Sequence, residues 1–417
     1  VRELEQNGFS MLEAKEAYDY RDINNVLEKN TILNIHRSDI QKSTKNNVLL
    51  LGANGFVGIH ILASILQKDS GKIYCIIRNK DGEDANTRFT KILHFYFGTQ
   101  FDKEIGNRIV ILPGSVLEKK LGLSDAKFEE VINQISTIIN AAAIVKHYGN
   151  EKKFKDINVN LTQRIVDICK KYKKRFLHIS SISVSGRDFV ENNSEQMATF
   201  AENNLYMGQD LENIYIHSKF EAERIILQQV ANGLQAQILR LGNMTNRFSD
   251  GKFQINPENN AFIGRLKTFI ELGTIPENFL TMPLEFTPVD LCADAIVSIL
   301  QNYLPTISIY HLYNDQTIPM SKLVDVLKQF KITLKPVSKE AFQNKIQQIL
   351  SKKENRQILS GIITDMNKST NIDYTSHIIT SCEFTKFFLN LVGFHWPCIT
   401  EEYLQKYINY LKGIKFI

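Results

Sequence analysis

The run NVLLLGANGFVGIHILASILQ, residues 47–67, narrows the possible folds more than any other part of the chain. Residues 47–52 form a short apolar run ending in glycine, the pattern of a buried parallel strand. Three glycines follow at Gly52, Gly55 and Gly58, and residues 56–67 then carry a helical period. In a strand–turn–helix junction of this kind the first glycine permits the tight turn. The second lets a pyrophosphate approach the backbone, and the third lets the helix pack on the strand. The helix N-terminus adds free N–H groups and a partial positive charge. A mere glycine-rich turn is the plain alternative, but its place at the end of the first strand favours a phosphate cradle. Gly52, Asn54, Gly55, Phe56, Val57 and Gly58 are therefore candidate cofactor-binding residues.

The rest of the chain repeats the alternation. Apolar runs at 72–78, 108–114, 136–143, 175–181, 235–242 and 306–314 read as strands, with helical stretches between most of them. That order means βαβ units and right-handed crossovers. The expected fold class is α/β, a Rossmann-like doubly wound parallel sheet with a smaller, mainly helical C-terminal substrate lobe. At 417 residues the chain is long enough for two or more folding units. The expected divisions are short helices and a polar linker over 1–44, a dinucleotide-binding domain over 45–315 and the second lobe over 316–417. Excursions near 187–214 and 243–290 fall on the substrate side. A formal charge of +5 is small for this length and does not suggest nucleic acid. The tracts KKFK (152–155) and KKYKKR (170–175) read as solvated helix ends or as a docking surface for an acidic partner. Five cysteines without CxxC or metal spacing indicate free thiols in a reducing cytoplasm. No apolar run reaches membrane-spanning length.

The second strand ends in Arg78, where NAD-binding chains usually place Asp or Glu for the ribose 2′-hydroxyl. An arginine accommodates a 2′-phosphate instead, which favours NADPH over NADH. Arg88 could close a second side of that phosphate or be an ordinary helical arginine. Ala141 and Ala142 end the fourth strand with side chains small enough for the adenosine ribose to lie close, or for tight helix–sheet packing. The fifth strand ends in HISSISVSG (178–186), at the edge where such sheets bind ligands. Ser181, Tyr215 and Lys219 can form a hydride-transfer acid site there. Tyr215 and Lys219, four apart, share one helix face. The phenol and the serine hydroxyl can donate to a developing oxyanion, and a neighbouring ammonium is expected to lower the phenol's pKa. Ser180 and Ser183 are alternatives for the serine. Asn158 is a proton-relay or a helix-packing residue.

These residues resemble the extended short-chain dehydrogenase/reductases, whose glycine spacing is GxxGxxG. More narrowly, residues 45–417 resemble the terminal thioester reductase domains of nonribosomal peptide and polyketide synthetases, kin of carboxylic acid reductases and aminoadipate reductase. The resemblance is carried by LLLGANGFVGIHIL, IIRNK, INAAAIVKHYG, LHISSISVSG, GQDLENIYIHSKFEAE, LRLGNMTNRFSDGKFQINPENNAF and PLEFTPVDLCADAI. It implies a catalytic set at Ser181, Tyr215 and Lys219, 2′-phosphate arginines at Arg78 and Arg88, and a nicotinamide- and substrate-lining segment that includes Gly242 and Asn243. Two departures are Ser115 where the family often has an adenine-touching Asp after the third strand, and Ser181 in place of the more frequent Thr.

Residues 1–31 look similar to the trailing helices of a peptidyl carrier domain, with its phosphopantetheine serine upstream; Ser10 is not in that motif. The chain is thus expected to be an excised fragment, monomeric as such, with the carrier as partner in cis and with no nucleic acid or membrane partner. The resemblance implies NADPH-dependent reduction of a carrier-bound peptidyl thioester through a hemithioacetal to an aldehyde, which could be reduced again to an alcohol. KHYG (146–149) resembles synthetases whose dipeptide aldehydes cyclise to imines and pyrazinones. The rivals are another extended reductase, such as a nucleotide-sugar epimerase or fatty acyl-CoA reductase, and a non-enzymatic dinucleotide sensor. Hydrolytic release would need a GxSxG elbow, and the sequence has none.

Overall fold

The structure is a computed structural model that describes residues 18–32, 35–43, 46–145, 149–190, 197–351, 358–359, 361–362 and 376–417. The expected carrier-like residues 1–17, Ser10 among them, and Lys146, His147 and Tyr148 of KHYG lie outside the described residues. The chain divides into two units. The first takes Val1–Gly242, Cys292–Leu312 and Ser376–His395; the second takes Asn243–Leu291, Tyr313–Thr375 and Trp396–Ile417.

The first unit is built on strands β1 (Val48–Leu51), β2 (Ile73–Ile77), β3 (Ile109–Pro113), β4 (Thr137–Asn140), β5 (Arg175–Ser181), β6 (Ala236–Leu241) and β7 (Ile309–Leu312). Their order across the sheet is β7-β6-β5-β4-β1-β2-β3, and every pairing is parallel. The reversal of direction beside β1, between β1 and β4, is the switch point at which a doubly wound sheet opens a crevice at its carboxyl edge. β1, β2 and β4 are buried at every position, as strands covered on both faces must be.

Helices α1 (Arg21–Leu27), α2 (Phe56–Lys68), α3 (Ala85–Phe97), α4 (Asp125–Gln134), α5 (Leu161–Tyr172), α6 (Ile214–Ala231) and α7 (Val289–Gln301) complete the framework. Alternate strand residues Leu49, Leu51, Ile76, Ile138, Phe176 and Ile238 share one core with Phe128 of α4, Ile165 of α5, and Phe220 and Ile226 of α6. α1 joins that core through Ile23, Val26 and Leu27, a stripe at helical spacing. Tyr18 reaches Glu221 at 3.3 Å and lies under the Arg224 guanidinium. Asn30 donates to the Ile309 carbonyl at 3.1 Å and to that of Glu202 at 3.2 Å. The sequence set residues 1–44 apart as a carrier tail and linker; residues 18–30 lie inside the first unit, because their apolar stripe packs in its core.

A short parallel pair, Ala198–Phe200 with Ile378–Thr380, also belongs to the first unit. The stretch 376–395, which the sequence placed in the C-terminal lobe, packs with the sheet because Phe384 and Phe388 lie against the ring of Tyr310. The second unit holds helices Ala261–Leu272, Met320–Gln329, Lys339–Ser351 and Glu401–Gly413, with three two-stranded pairs. Phe269 packs edge-on against Phe279 and Phe342. Among the described residues no helix is long and apolar enough to cross a membrane.

Candidate active site

All seven strands run the same way, so residues that end different strands collect at one edge. Gly52 follows β1, Arg78 follows β2, Ala141 follows β4, Ser181 ends β5 and Gly242 follows β6. Gly52 has φ +79°, and a Cβ there would lie 2.7 Å from the carbonyl carbon of Ala141 and the nitrogen of Ala142. Only glycine satisfies both conditions. A Cβ on Gly58 would lie 2.1 Å from the Gly52 oxygen, so the first turn of α2 sits directly on the strand turn. Gly55 is exposed, and a Cβ there would meet only the Gly52 oxygen, at 3.2 Å. As the N-cap of α2, Gly55 brings no capping side chain. The N–H groups of Phe56, Val57 and Gly58 therefore have no intrahelical acceptor, the donor set that binds a pyrophosphate. Asn54 is half-buried in the same turn.

At the end of β2, Arg78 is exposed and its carbonyl accepts from the Arg88 guanidinium. Arg88 lies in the first turn of α3, which Asp84 caps through the N–H groups of Asn86 and Thr87. The two arginines proposed for one phosphate thus come together. Ala142 donates to the Asn140 side chain at 3.2 Å, which folds the small-residue segment over the end of β4. The glycine turn that a Cβ would fill, the open donors of α2 and the arginine pair fit a dinucleotide.

Ser181 lies beside Tyr215, where its hydroxyl favours the phenolate. Ser181 Oγ also lies 2.8 Å from Ser183 Oγ and accepts from the Ser183 N–H at 3.2 Å. Tyr215 stands in the first turn of α6, which Asn213 caps. Lys219, one turn on, donates from Nζ to the Ile179 carbonyl at 2.8 Å. Both are buried. Burial pushes the Tyr215 phenol up to about 12, against the lowering effect of the Ser181 hydroxyl. It pushes Lys219 down to about 8, against the Glu223 carboxylate, which raises it. The sequence expected the ammonium to lower the phenol. Instead desolvation dominates, and the ammonium is engaged by a backbone carbonyl.

Ser180, an alternative for the serine, points elsewhere: its Oγ donates to Glu223 at 2.5 Å. Asn158 lies in a π-helical turn, Lys155–Asn160. Its Nδ2 donates to Ser218 Oγ at 2.9 Å and its Oδ1 accepts the Ile144 N–H at 2.9 Å. Ser218 in turn donates to the Tyr215 carbonyl at 2.8 Å. Asn158 thus ties the segment after β4 to the helix of the tyrosine. Gly242 donates to Leu312 at 3.1 Å. Asn243 is the first residue of the second unit, where its N–H bonds the Glu285 carboxylate at 2.6 Å. Burial pushes that carboxyl up to about 7. Of the tract 170–175, Arg175 is no surface cation. It is buried, bonded to Gln237 and to the Leu300 and Ile299 carbonyls.

Sequence reasoning missed one group, the buried pair Glu223–Arg240 beneath Lys219, with neither side chain exposed. Its signal was present: an arginine inside the apolar strand AQILRL, and a glutamate four residues after the lysine.

Residues 50–296, more than half of the chain, match the NAD-binding family model described as "Male sterility protein". A thiolation-reductase di-domain from an archaeal non-ribosomal peptide synthetase superposes with a TM-score of 0.84 at 30% identity, over 97% of this chain and 82% of that one. A component of the linear gramicidin synthase of Brevibacillus parabrevis is 26% identical over 72% of this chain. The L-2-aminoadipate reductase of Saccharomyces cerevisiae is 28% identical over 63%. The chain spans only 6% and 19% of the lengths of these two relatives. A glycine turn that fits a nucleotide, a Ser–Tyr–Lys cluster at the same sheet edge and these likenesses lead to one conclusion: the chain is an oxidoreductase that belongs to this NAD-binding family, with the reductase domains of non-ribosomal peptide synthetases.

Proposed function

We propose that the chain reduces the thioester of a peptide held on the phosphopantetheine arm of an upstream carrier domain, with NADPH as reductant, and releases it as an aldehyde. The observation that carries this reading is the grouping of Ser181 and Tyr215 at the carboxyl edge of the sheet, with Lys219 one helical turn away and tied to the end of β5 through the Ile179 carbonyl. When bound at this edge, a reduced nicotinamide supplies the hydride. The glycine turn Gly52–Gly58 with Asn54, Phe56 and Val57 would hold its pyrophosphate, and Ala141 and Ala142 would lie against its adenosine ribose. Arg78 and Arg88 would hold the 2′-phosphate, which favours NADPH over NADH.

Because its pKa is about 12, Tyr215 keeps its proton at neutral pH and is a donor rather than a phenolate. Its hydroxyl and that of Ser181 stabilise charge as it builds on the thioester oxygen, and Tyr215 then gives up its proton. Collapse of the resulting hemithioacetal frees the thiol and leaves the aldehyde. That aldehyde could close on its own amine to an imine or be reduced again to an alcohol. Lys219 provides a fixed positive charge beside the phenol and would bond the nicotinamide ribose. The carrier is proposed as a cis partner in the cytoplasm.

Incubating the protein with NADPH and a panel of acyl-pantetheine thioesters, with products identified by mass spectrometry, tests this reading. Tyr215→Phe should lower turnover by about 10²–10⁴-fold while coenzyme affinity is unchanged. Wild-type turnover in that variant removes Tyr215 from the mechanism.

A further inference from the structure

The end of β5 meets α6 in three successive contacts. The Ile179 carbonyl holds Lys219 and the Ser180 hydroxyl holds Glu223, while Ser181 lies beside Tyr215. Tyr215, Lys219 and Glu223 are spaced by four and follow one face of the helix. Beneath Glu223, the facing residues of three adjacent strands form a polar row. Ser180 of β5 is register partner to Arg240 of β6, and Arg240 to His311 of β7. Arg240 grips the Glu223 carboxylate through Nε at 3.0 Å and Nη2 at 2.7 Å. Its Nη1 lies 3.0 Å from His311 Nε2. A guanidinium can only donate, so His311 carries its proton on Nδ1, which faces the Ser381 carbonyl at 2.5 Å. The imidazole is neutral, and Glu223 and Arg240 are the two charges of the row.

A well-packed apolar pair in place of a buried ion pair is often no less stable, so stability alone is weak grounds for this one. Its position gives it another task. Among the described residues, the charged or titratable groups facing Lys219 are Tyr215 and Glu223 on α6 and His178 on β5. His178 is buried and held well below the usual histidine range, hence neutral. Glu223 is therefore the negative charge adjacent to Lys219, and Arg240 keeps that charge in place.

We propose that Glu223, anchored by Arg240 and Ser180, is a positioning residue for the reductase site: it sets the register of α6 on β5 and keeps Lys219 charged at neutral pH. This rests on the reading of Tyr215 and Lys219 as the acid site, and the test of its charge half does not depend on turnover.

The protein labelled with [ε-13C]lysine is titrated by NMR, and the Lys219 signal is assigned by its loss in Lys219→Arg. In Glu223→Gln the Lys219 midpoint should fall at least tenfold in proton affinity. In Glu223→Gln/Arg240→Gln, which leaves no unpaired charge, it should fall by less. A purely structural role would loosen the site and move the midpoint the other way, toward that of an exposed lysine. A midpoint unchanged or raised in the double variant overturns the proposal, even if the single variant does not fold. Glu223→Asp, which keeps the charge but shortens the anchor, should hold the midpoint and lose kcat with little change in KM; wild-type kcat there removes the positioning half. Failure of wild-type protein to reduce any thioester would sink the proposed function while leaving the NMR result to stand.

Discussion

Replacing Lys219 with methionine should abolish turnover and make the protein more stable at neutral pH. Burial brings the amine from its ordinary 10.5 to about 8. At about 1.36 kcal/mol per pH unit, holding the folded chain in the charged form costs about 3 kcal/mol. Methionine removes that cost but leaves the Ile179 carbonyl without this donor, a loss of about 1 kcal/mol. The net gain is about 2 kcal/mol, or a rise of several degrees in Tm. The pH dependence has a definite sign. Below pH 8 folded and unfolded chains both carry the proton, and the folded chain bears the full burial cost. Between pH 8 and about 10.5 only the unfolded chain holds it, so wild-type stability rises with pH there and the variant's advantage shrinks. Thermal melts of both proteins at pH 7, 8, 9 and 10 test this. A variant that is less stable at pH 7, or a gap that does not change with pH, would show that burial imposes no such cost on the amine.

Two further outcomes are expected. Arg78→Glu should raise the NADPH requirement by about 10- to 100-fold, through loss of a charge-assisted bond and added repulsion, and the NADH requirement far less; equal responses in steady-state kinetics remove the 2′-phosphate assignment. Charge reversal at Lys170, Lys171 and Lys173, with buried Arg175 left alone, should slow reduction of a carrier-tethered thioester but not of a short pantetheine mimic if this face docks the carrier, and no difference removes that idea.

The sheet was legible in the sequence because each strand is a short apolar run, most of them closed by glycine or small residues, and each crossover carries a helical period. The glycine turn was legible for the same reason that it works: φ +79° at Gly52 and the contact at Gly58 admit no other residue. The unit boundaries were less so. Residues 376–395 join the first unit through Phe384 and Phe388 on Tyr310, a contact between positions far apart in the chain. Spacing identified Tyr215 and Lys219 but not which serine faces them. That depends on how the end of β5 lies against α6, which sends Ser180 to Glu223 and leaves Ser181 beside Tyr215. Nor could spacing give the sign of the phenol's shift, which is decided by burial.

The sign of that shift bears on the direction of chemistry. Burial favours the neutral form of each group, so it raises the phenol and lowers the amine by the same cause. A phenol at about 12 is a poor base and a reliable donor at pH 7, which suits proton delivery to an oxyanion more than proton removal from an alcohol. The amine at about 8 is mostly charged at pH 7 and loses that charge as the pH passes 8. If the ammonium is needed beside the phenol, reduction should fade through that same interval while the phenol is still protonated. An alkaline limb near 8 that moves with Glu223→Gln would then report the lysine. One near 12, or one insensitive to that substitution, would mean that the phenol alone sets the profile.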